Sequence, residues 1–130
     1  MTRVFVDVAA AALETGGEPA LDEAAVRSLR LLAEAGHEVV LVTGPAGPPP
    51  AALGAVAAGA VGEVPARPAS RAWYLTADVD RCRGTSARLR TVLVGAAPAP
   101  GSVHRCDAVA RDVQAAVMEI LASEAMPSPR

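Results

Sequence analysis

The chain has 130 residues, the common size for one domain and too few for two ordinary ones. Its net charge is −2 and its 12 basic residues, all arginine, are spread without a cluster, which argues against a surface for nucleic acid. The longest apolar stretch, residues 51–64, is rich in alanine and interrupted by glycine and glutamate, so no membrane span is predicted.

The first part of the chain alternates between strand and helix patterns. Residues 4–8 predict a strand, and the turn chemistry of residues 14–19 predicts a loop after it. Asp22 is placed to cap a helix that runs to residue 35, where Gly36 is placed to end it. Residues 39–42 then predict a buried strand, and a right-handed crossover makes this strand parallel to the first.

The same alternation continues to the end of the chain. The middle predicts a helix that starts at residues 48–50, a short strand at 60–64, a loop at 67–71 and a strand at 73–76. The remainder predicts a short helix at 80–88, a strand at 91–94, an edge strand at 103–106, and a closing helix at 108–123 with Asp107 as a candidate cap.

These elements predict an α/β fold: a three-layer, Rossmann-like domain with a mostly parallel central sheet flanked by helices. We expect one such domain over residues 1–125 and a disordered tail at 126–130.

Three predicted strands end on polar residues, namely Asp7, Thr43 and Asp78. If the strands are parallel, these side chains meet at the carboxyl edge of the sheet, where open α/β sheets bind ligands. The sequence therefore predicts a ligand site at this edge.

The residues around these positions resemble motifs of the haloacid dehalogenase-like (HAD) hydrolase superfamily, in particular its small members without a cap domain. Residues 4–9 (Val-Phe-Val-Asp-Val-Ala) are similar to the first motif, 41–44 (Leu-Val-Thr-Gly) to the second, and 73–80 (Trp-Tyr-Leu-Thr-Ala-Asp-Val-Asp) to the acidic fourth. The resemblance covers nearly the whole chain and implies a HAD-like fold with no cap domain.

The resemblance also implies roles for named residues. Asp7 would attack phosphorus, and Mg²⁺ would bridge Asp7 and an acid of the fourth motif, either Asp78 or Asp80. Such a cation would offset the repulsion between a carboxylate and a phosphate. Thr43 and the Gly44 amide would bind phosphoryl oxygens.

Two departures from the family pattern affect this assignment. Ala9 stands where the phosphatases carry a second Asp as general acid and base, and the chain contains no lysine for the third motif. Arg67 or Arg71 is a candidate substitute for that lysine near the phosphate. Asp78 and Asp80 could equally cap the helix that follows them.

Two functions from different classes therefore stay open. The first is a Mg²⁺-dependent phosphatase that acts through Asp7 on a small phosphate-bearing ligand. The second is a catalytically silent relative that binds a ligand, a protein partner or another copy of itself. A receiver-like signalling domain ranks third, because it needs a lysine that this chain lacks.

The other chemically distinctive residues are interpreted structurally. His37 and His104 are expected to be solvated, and Trp73 and Tyr74 to belong to the core and sheet cover. The two cysteines, Cys82 and Cys106, have no metal-ligand spacing and are expected to be small buried or half-buried hydrophobes. With no disulfide framework and no apolar leader suggested, the chain is expected to be cytoplasmic.

Overall fold

The computed structural model describes residues 2–15, 18–44, 51–65, 70–82, 88–95 and 105–125. The elements in chain order are β1 (Arg3–Asp7), a helical turn (Val8–Ala11), β2 (Ala12–Thr15), β3 (Glu18–Leu21), α1 (Glu23–Glu34), β4 (Glu38–Val42), α2 (Ala51–Gly54), β5 (Gly59–Val61), β6 (Ala72–Thr76), a second helical turn (Val79–Arg81), β7 (Leu89–Val94), β8 (Ala108–Ala110) and α3 (Val113–Ala125).

Within these ranges, six strands form one parallel sheet in the order β5-β4-β1-β6-β7-β8. From β1 the chain builds outward through β4 and β5, then crosses to the other side of β1 to add β6, β7 and β8. The point between β1 and β6 is therefore the topological switch point, where α/β sheets bind ligands outside the carboxyl ends of the strands. Asp7 is the last residue of β1 and pairs with Val42 at this end of the sheet.

Both faces of the sheet are buried. Helices α1, α2 and α3 contribute to the larger cluster on one face, which includes Trp73 and Leu29. A smaller cluster on the other face contains Phe5, Val40 and Tyr74, and partly buried side chains pack against it. The predicted α/β, Rossmann-like, three-layer fold is confirmed, and the described residues contain no cap domain.

The first helix forms as its sequence predicts. The Asp22 carboxylate accepts a hydrogen bond from the Ala24 amide, 3.0 Å, and caps the amino end of α1. At the other end Gly36 has a φ of +95°, a conformation that favours glycine. The helix buries Leu29 and Leu32 against the sheet.

The region after β1 differs from the predicted loop. A helical turn follows β1 directly, and β2 and β3 then form an antiparallel hairpin on either side of residues 16–17. The loop was predicted from turn chemistry over residues 14–19, but residues 14–15 and 18–19 belong to the two paired strands. Two glycines between short runs are a signal for such a hairpin.

The end of the chain also differs from its prediction. The last strand is β8 at Ala108–Ala110 rather than residues 103–106, of which the described residues 105 and 106 lie in no strand. The closing helix starts at Val113, where the Asp112 carboxylate accepts a hydrogen bond from the Ala115 amide, 2.8 Å. Asp107 is not its cap, since this carboxylate accepts a hydrogen bond from the Thr91 amide of β7 instead, 2.7 Å.

The predicted helix over residues 80–88 is also corrected within the described residues. A helical turn spans only Val79–Arg81, and Cys82 after it has an extended backbone. The predictions for residues 83–87 and for the tail at 126–130 lie outside the described residues.

The two cysteines form a disulfide, which corrects the prediction of unbonded small hydrophobes. Cys82 and Cys106 have Cα atoms 4.8 Å apart, and Cys82 is buried. Cys82 precedes β7 and Cys106 follows it, so the bond joins the two connections on either side of this strand. A separation of 24 positions gives no sign of this proximity in the sequence alone.

No helix in the described part of the chain is long and apolar enough to cross a membrane.

Candidate functional site

Asp7 lies at the centre of a buried polar cluster at the carboxyl edge of the sheet. In the parallel register between β1 and β6, Phe5 is paired with Tyr74, and side chains two positions apart share a face. Asp7, Tyr74 and Thr76 therefore project from the same face of neighbouring strands. Only 4 % of Asp7 is exposed, and Tyr74 and Thr76 are buried as well.

Both carboxylate oxygens of Asp7 accept hydrogen bonds from hydroxyl groups. The Tyr74 hydroxyl donates to Oδ1 at 2.7 Å, and the Thr76 hydroxyl donates to Oδ2 at 2.6 Å. Hydrogen bonds to an ionised carboxylate are short and strong, and they offset the cost of burying its charge.

Arg81 supplies the positive charge of the cluster. Its Nη1 lies 3.5 Å from Oδ2 of Asp7, and its guanidinium lies over the Tyr74 ring, 6.0 Å from the centroid. The Arg81 side chain is 38 % exposed, whereas that of Asp7 is 5 % exposed. The pair therefore joins a buried anion to a cation at the surface of the switch point.

The cluster changes the acidity of the tyrosine. Burial raises the pKa of Tyr74 far above its ordinary value of 10.0, and the hydrogen bond to Asp7 raises this pKa further. The phenol therefore stays protonated at any physiological pH and acts as a fixed donor to Asp7.

The two acids of the fourth motif lie at the same edge but outside this buried cluster. The Asp78 amide donates to the Thr76 hydroxyl oxygen at 3.2 Å, which connects Asp78 to Asp7 through Thr76. The Asp78 carboxylate accepts a hydrogen bond from the Asp80 amide at 3.0 Å and caps the second helical turn. Both side chains are exposed. Helix capping, one of the two sequence interpretations, describes what Asp78 does here.

Thr43 and Gly44 lie beyond the carboxyl end of β4, as predicted. Their hydrogen-bond donors, however, are already bonded to backbone carbonyls of the segment at β5. The Thr43 amide and hydroxyl both donate to the Val61 carbonyl, at 3.0 and 3.3 Å. The Gly44 amide donates to the Gly62 carbonyl at 3.0 Å. In this arrangement they extend the sheet towards β5 and do not present these donors to a phosphate.

Of the two candidate arginines, Arg71 lies within the described residues and Arg67 does not. Arg71 directly precedes β6 and so lies at the amino edge of the sheet, opposite to the edge that holds Asp7. The predicted phosphate-binding role of Arg71 therefore does not fit its position, and Arg81 is the described arginine that contacts Asp7.

A second polar cluster lies at that amino edge. Glu124 accepts hydrogen bonds from the Trp73 indole at 2.8 Å and from the Thr2 hydroxyl at 3.0 Å. Burial alone raises the pKa of Glu124, but these hydrogen bonds, with the charges of Arg71 and His37, outweigh burial and hold this pKa below its ordinary value. The cluster ties α3 to the sheet and therefore has a structural role.

The described residues do not fit a bridging Mg²⁺ at Asp7. Magnesium needs oxygen ligands at about 2.0–2.1 Å in octahedral geometry. Both Asp7 oxygens already accept hydroxyl hydrogen bonds, and the Arg81 guanidinium lies beside Oδ2. No group of three or more His, Cys, Asp or Glu side chains in the described part of the chain could hold a metal ion.

Tyr74, Thr76 and Arg81 were not predicted from the sequence as partners of Asp7. A signal for the first two was present, because Tyr74 and Thr76 alternate with apolar residues and so share one face of a strand. Arg81 gave no such signal, since its contact with Asp7 depends on the course of the chain after β6.

No protein-family model matches the sequence, and neither the curated proteins nor the solved structures contain a match.

Proposed function

We propose that this chain is a HAD-like domain that does not hydrolyse phosphate esters and instead serves as a binding module for a small ligand or a protein partner at its carboxyl edge. One observation carries the proposal: Asp7 is buried, both of its oxygens accept hydroxyl hydrogen bonds, and Arg81 balances its charge. Asp7 therefore has the environment of a structural anchor.

The environment of Asp7 opposes nucleophilic attack. An attacking carboxylate oxygen must come within about 3–3.5 Å of phosphorus with its lone pair aligned. The Asp7 side chain is 5 % exposed, so a phosphoryl group reaches it only if Arg81 or Tyr74 moves away. Ala9 cannot donate the proton that a leaving group needs. General acid catalysis typically contributes factors of about 10² to 10⁴ to the rate.

The placement of the motif residues supports a HAD-like lineage. Asp7 ends the central strand β1 at the topological switch point, and Thr43 and Asp78 follow the strands on either side of it. A polar residue after each of three adjacent parallel strands is the arrangement that the resemblance implies. The proposal therefore keeps the predicted fold and edge and reassigns the role of Asp7.

A Mg²⁺-dependent phosphatase is the second candidate. The observation that favours it is the link from Asp7 through the Thr76 hydroxyl to the Asp78 amide, which keeps both acids at one edge of the sheet. This function requires Arg81 to leave Oδ2 before a cation can bind there.

Phosphate release from a small aryl phosphate in the presence of Mg²⁺ separates the two candidates. The wild-type protein is compared with Asp7→Asn and with a matched control, Asp112→Asn, which keeps a capping side chain at the start of α3. We expect equal background rates for all three proteins. A rate that Asp7→Asn abolishes and Asp112→Asn preserves would establish the phosphatase instead.

The cytoplasmic location stays a prediction from the sequence, and the disulfide between Cys82 and Cys106 weighs against it. Disulfides persist mainly in oxidising compartments and are rare in cytosolic proteins. Trapping of thiols in intact cells, followed by mass spectrometry of the two cysteine peptides, measures how much of the protein carries the bond in its own compartment.

A further inference from the structure

We infer that Arg81 is the permanent counter-cation of Asp7 and that it closes this carboxylate to divalent metal ions. The inference deepens the proposed function and rests on it, because a closed Asp7 is what distinguishes a binding module from a Mg²⁺-dependent phosphatase. It also explains how the chain keeps a buried carboxylate at the position where the resemblance implies a metal ligand.

The guanidinium of Arg81 lies beside the Asp7 carboxylate. Nη1 of Arg81 lies 3.5 Å from Oδ2 of Asp7, the same oxygen that accepts the Thr76 hydroxyl at 2.6 Å. The guanidinium also lies over the Tyr74 ring, whose negative face attracts a cation. Two contacts on neighbouring side chains therefore hold the positive charge beside Asp7.

The charge of Arg81 opposes the binding of a metal ion at Asp7. One carboxylate and one guanidinium are neutral together, so the buried charge is already balanced without an added ion. A divalent cation bound to Oδ2 would lie within a few ångströms of the guanidinium, and like charges at that distance repel strongly in a partly buried site. Metal binding at Asp7 therefore requires the displacement of Arg81.

Backbone hydrogen bonds and the disulfide hold the segment that carries Arg81. The Arg81 amide donates to the Asp78 carbonyl at 3.0 Å, and the Cys82 amide donates to the Val79 carbonyl at 3.2 Å. The disulfide then fastens Cys82, the residue next to Arg81, to Cys106 on the neighbouring connection. The backbone that carries Arg81 is thus tied to neighbouring segments, unlike that of an arginine on a free surface loop.

Binding of Mn²⁺, a divalent probe, tests the inference. Free Mn²⁺ is measured by electron paramagnetic resonance, and the thermal midpoint is measured with and without Mn²⁺. The proteins compared are wild type, Asp7→Asn, Arg81→Gln and the double variant Arg81→Gln/Asp7→Asn. Arg111→Gln is the matched control, because Arg111 pairs with Asp112 and its side chain is 88 % exposed. We expect Arg81→Gln to bind Mn²⁺ at least about tenfold more tightly than wild type and Arg111→Gln. We expect Asp7→Asn to remove that gain.

Two results would overturn the inference. One is an Arg81→Gln protein that is folded and shows no gain. The other is wild-type protein that binds Mn²⁺ as tightly as Arg81→Gln and loses this binding with Asp7→Asn. If Arg81→Gln does not fold, Mn²⁺-induced broadening of the Thr76 and Asp78 amide signals is compared between wild type and Asp7→Asn. Broadening that Asp7→Asn abolishes overturns the inference, and identical spectra support it.

The failure of this inference is distinct from a failure of the proposed function. Wild-type protein that binds Mn²⁺ through Asp7 but releases no phosphate would contradict the role of Arg81 alone. Phosphate release that depends on Asp7 would contradict the proposed function itself.

Discussion

Removal of the Tyr74 hydroxyl tests the buried cluster around Asp7 most cleanly. Tyr74→Phe keeps the ring, which is 2 % exposed, and deletes the donor that lies 2.7 Å from Oδ1. The core packing is preserved. The loss in stability therefore measures the missing hydrogen bond, together with the cost of leaving the Asp7 Oδ1 atom without this donor.

The structure sets the expected size of this loss. A hydrogen bond to a charged group contributes about 1.5–3 kcal/mol, and a buried acceptor that loses its donor keeps its desolvation cost. We therefore expect Tyr74→Phe to lower the free energy of unfolding by about 2 kcal/mol, which corresponds to about 5–10 °C in the midpoint.

The difference should also depend on pH. Because the pKa of Tyr74 is raised in the folded state, its contribution is complete below the ordinary value of 10.0. The contribution is lost as the pH rises above that value towards the raised pKa. The gap between wild type and Tyr74→Phe should therefore be constant from neutral pH to about pH 9 and narrow above pH 10.

Urea unfolding, followed by the fluorescence of the single tryptophan, Trp73, measures the effect. Thr91→Val is the control for loss of a buried hydroxyl on the neighbouring strand. Tyr74→Phe in an Asp7→Asn background completes a double-mutant cycle. The reasoning is refuted if Tyr74→Phe costs less than about 0.5 kcal/mol, or if its cost is the same with and without the Asp7 carboxylate.

Three further predictions concern the rest of the fold. Reduction of the disulfide between Cys82 and Cys106 should lower the free energy of unfolding by about 3 kcal/mol, because it joins positions 24 apart; equal urea midpoints with and without a phosphine reductant would contradict this. Glu124, whose pKa is lowered in the fold, contributes stability above its ordinary value of 4.5 and loses it as the pH falls below that value. In Glu124→Gln the urea midpoint should therefore fall less between about pH 5 and pH 3 than in wild type. The same pH dependence in both proteins would contradict the role given to the Glu124 hydrogen bonds. Asp112→Ala should cost about 1 kcal/mol in urea unfolding by removing the cap of α3, whereas no loss would place the start of that helix elsewhere.

The sequence was sufficient to predict the parallel sheet and the edge of that sheet at which Asp7 lies. The runs of apolar residues that become β1, β4, β6 and β7 are short but continuous, and Asp22 and Gly36 bound α1 with strong local signals. These elements depend on residues that are close together in the sequence, so the sequence pattern predicts them. The right-handed crossover rule then determines how successive strands are placed.

The parts that the sequence did not predict depend on contacts between distant residues. Asp107 has the composition of a helix cap, but the structure pairs it with Thr91 of β7, and Asp112 caps α3. The contact of Arg81 with Asp7 joins residues that are far apart in the sequence, so no local pattern predicts it.

The candidate site shows the same limit. The sequence indicated which residue types stand at the carboxyl edge, but not which donors were already engaged. From the sequence, the Gly44 amide was expected to bind a phosphoryl oxygen. In the fold this amide donates a hydrogen bond to the Gly62 carbonyl. The chemistry of Asp7 likewise depends on the hydroxyls and the guanidinium around it, and these come from other elements.

A crystal structure of the wild-type protein grown with Mg²⁺ and a phosphate analogue such as vanadate would test the role of Asp7 most directly. We expect the Tyr74 and Thr76 hydroxyls to remain within hydrogen-bond distance of the two Asp7 oxygens, with Arg81 beside Oδ2. A magnesium ion coordinated by Asp7, or vanadate in line with one of its oxygens, would contradict the assignment of Asp7 as a buried anchor.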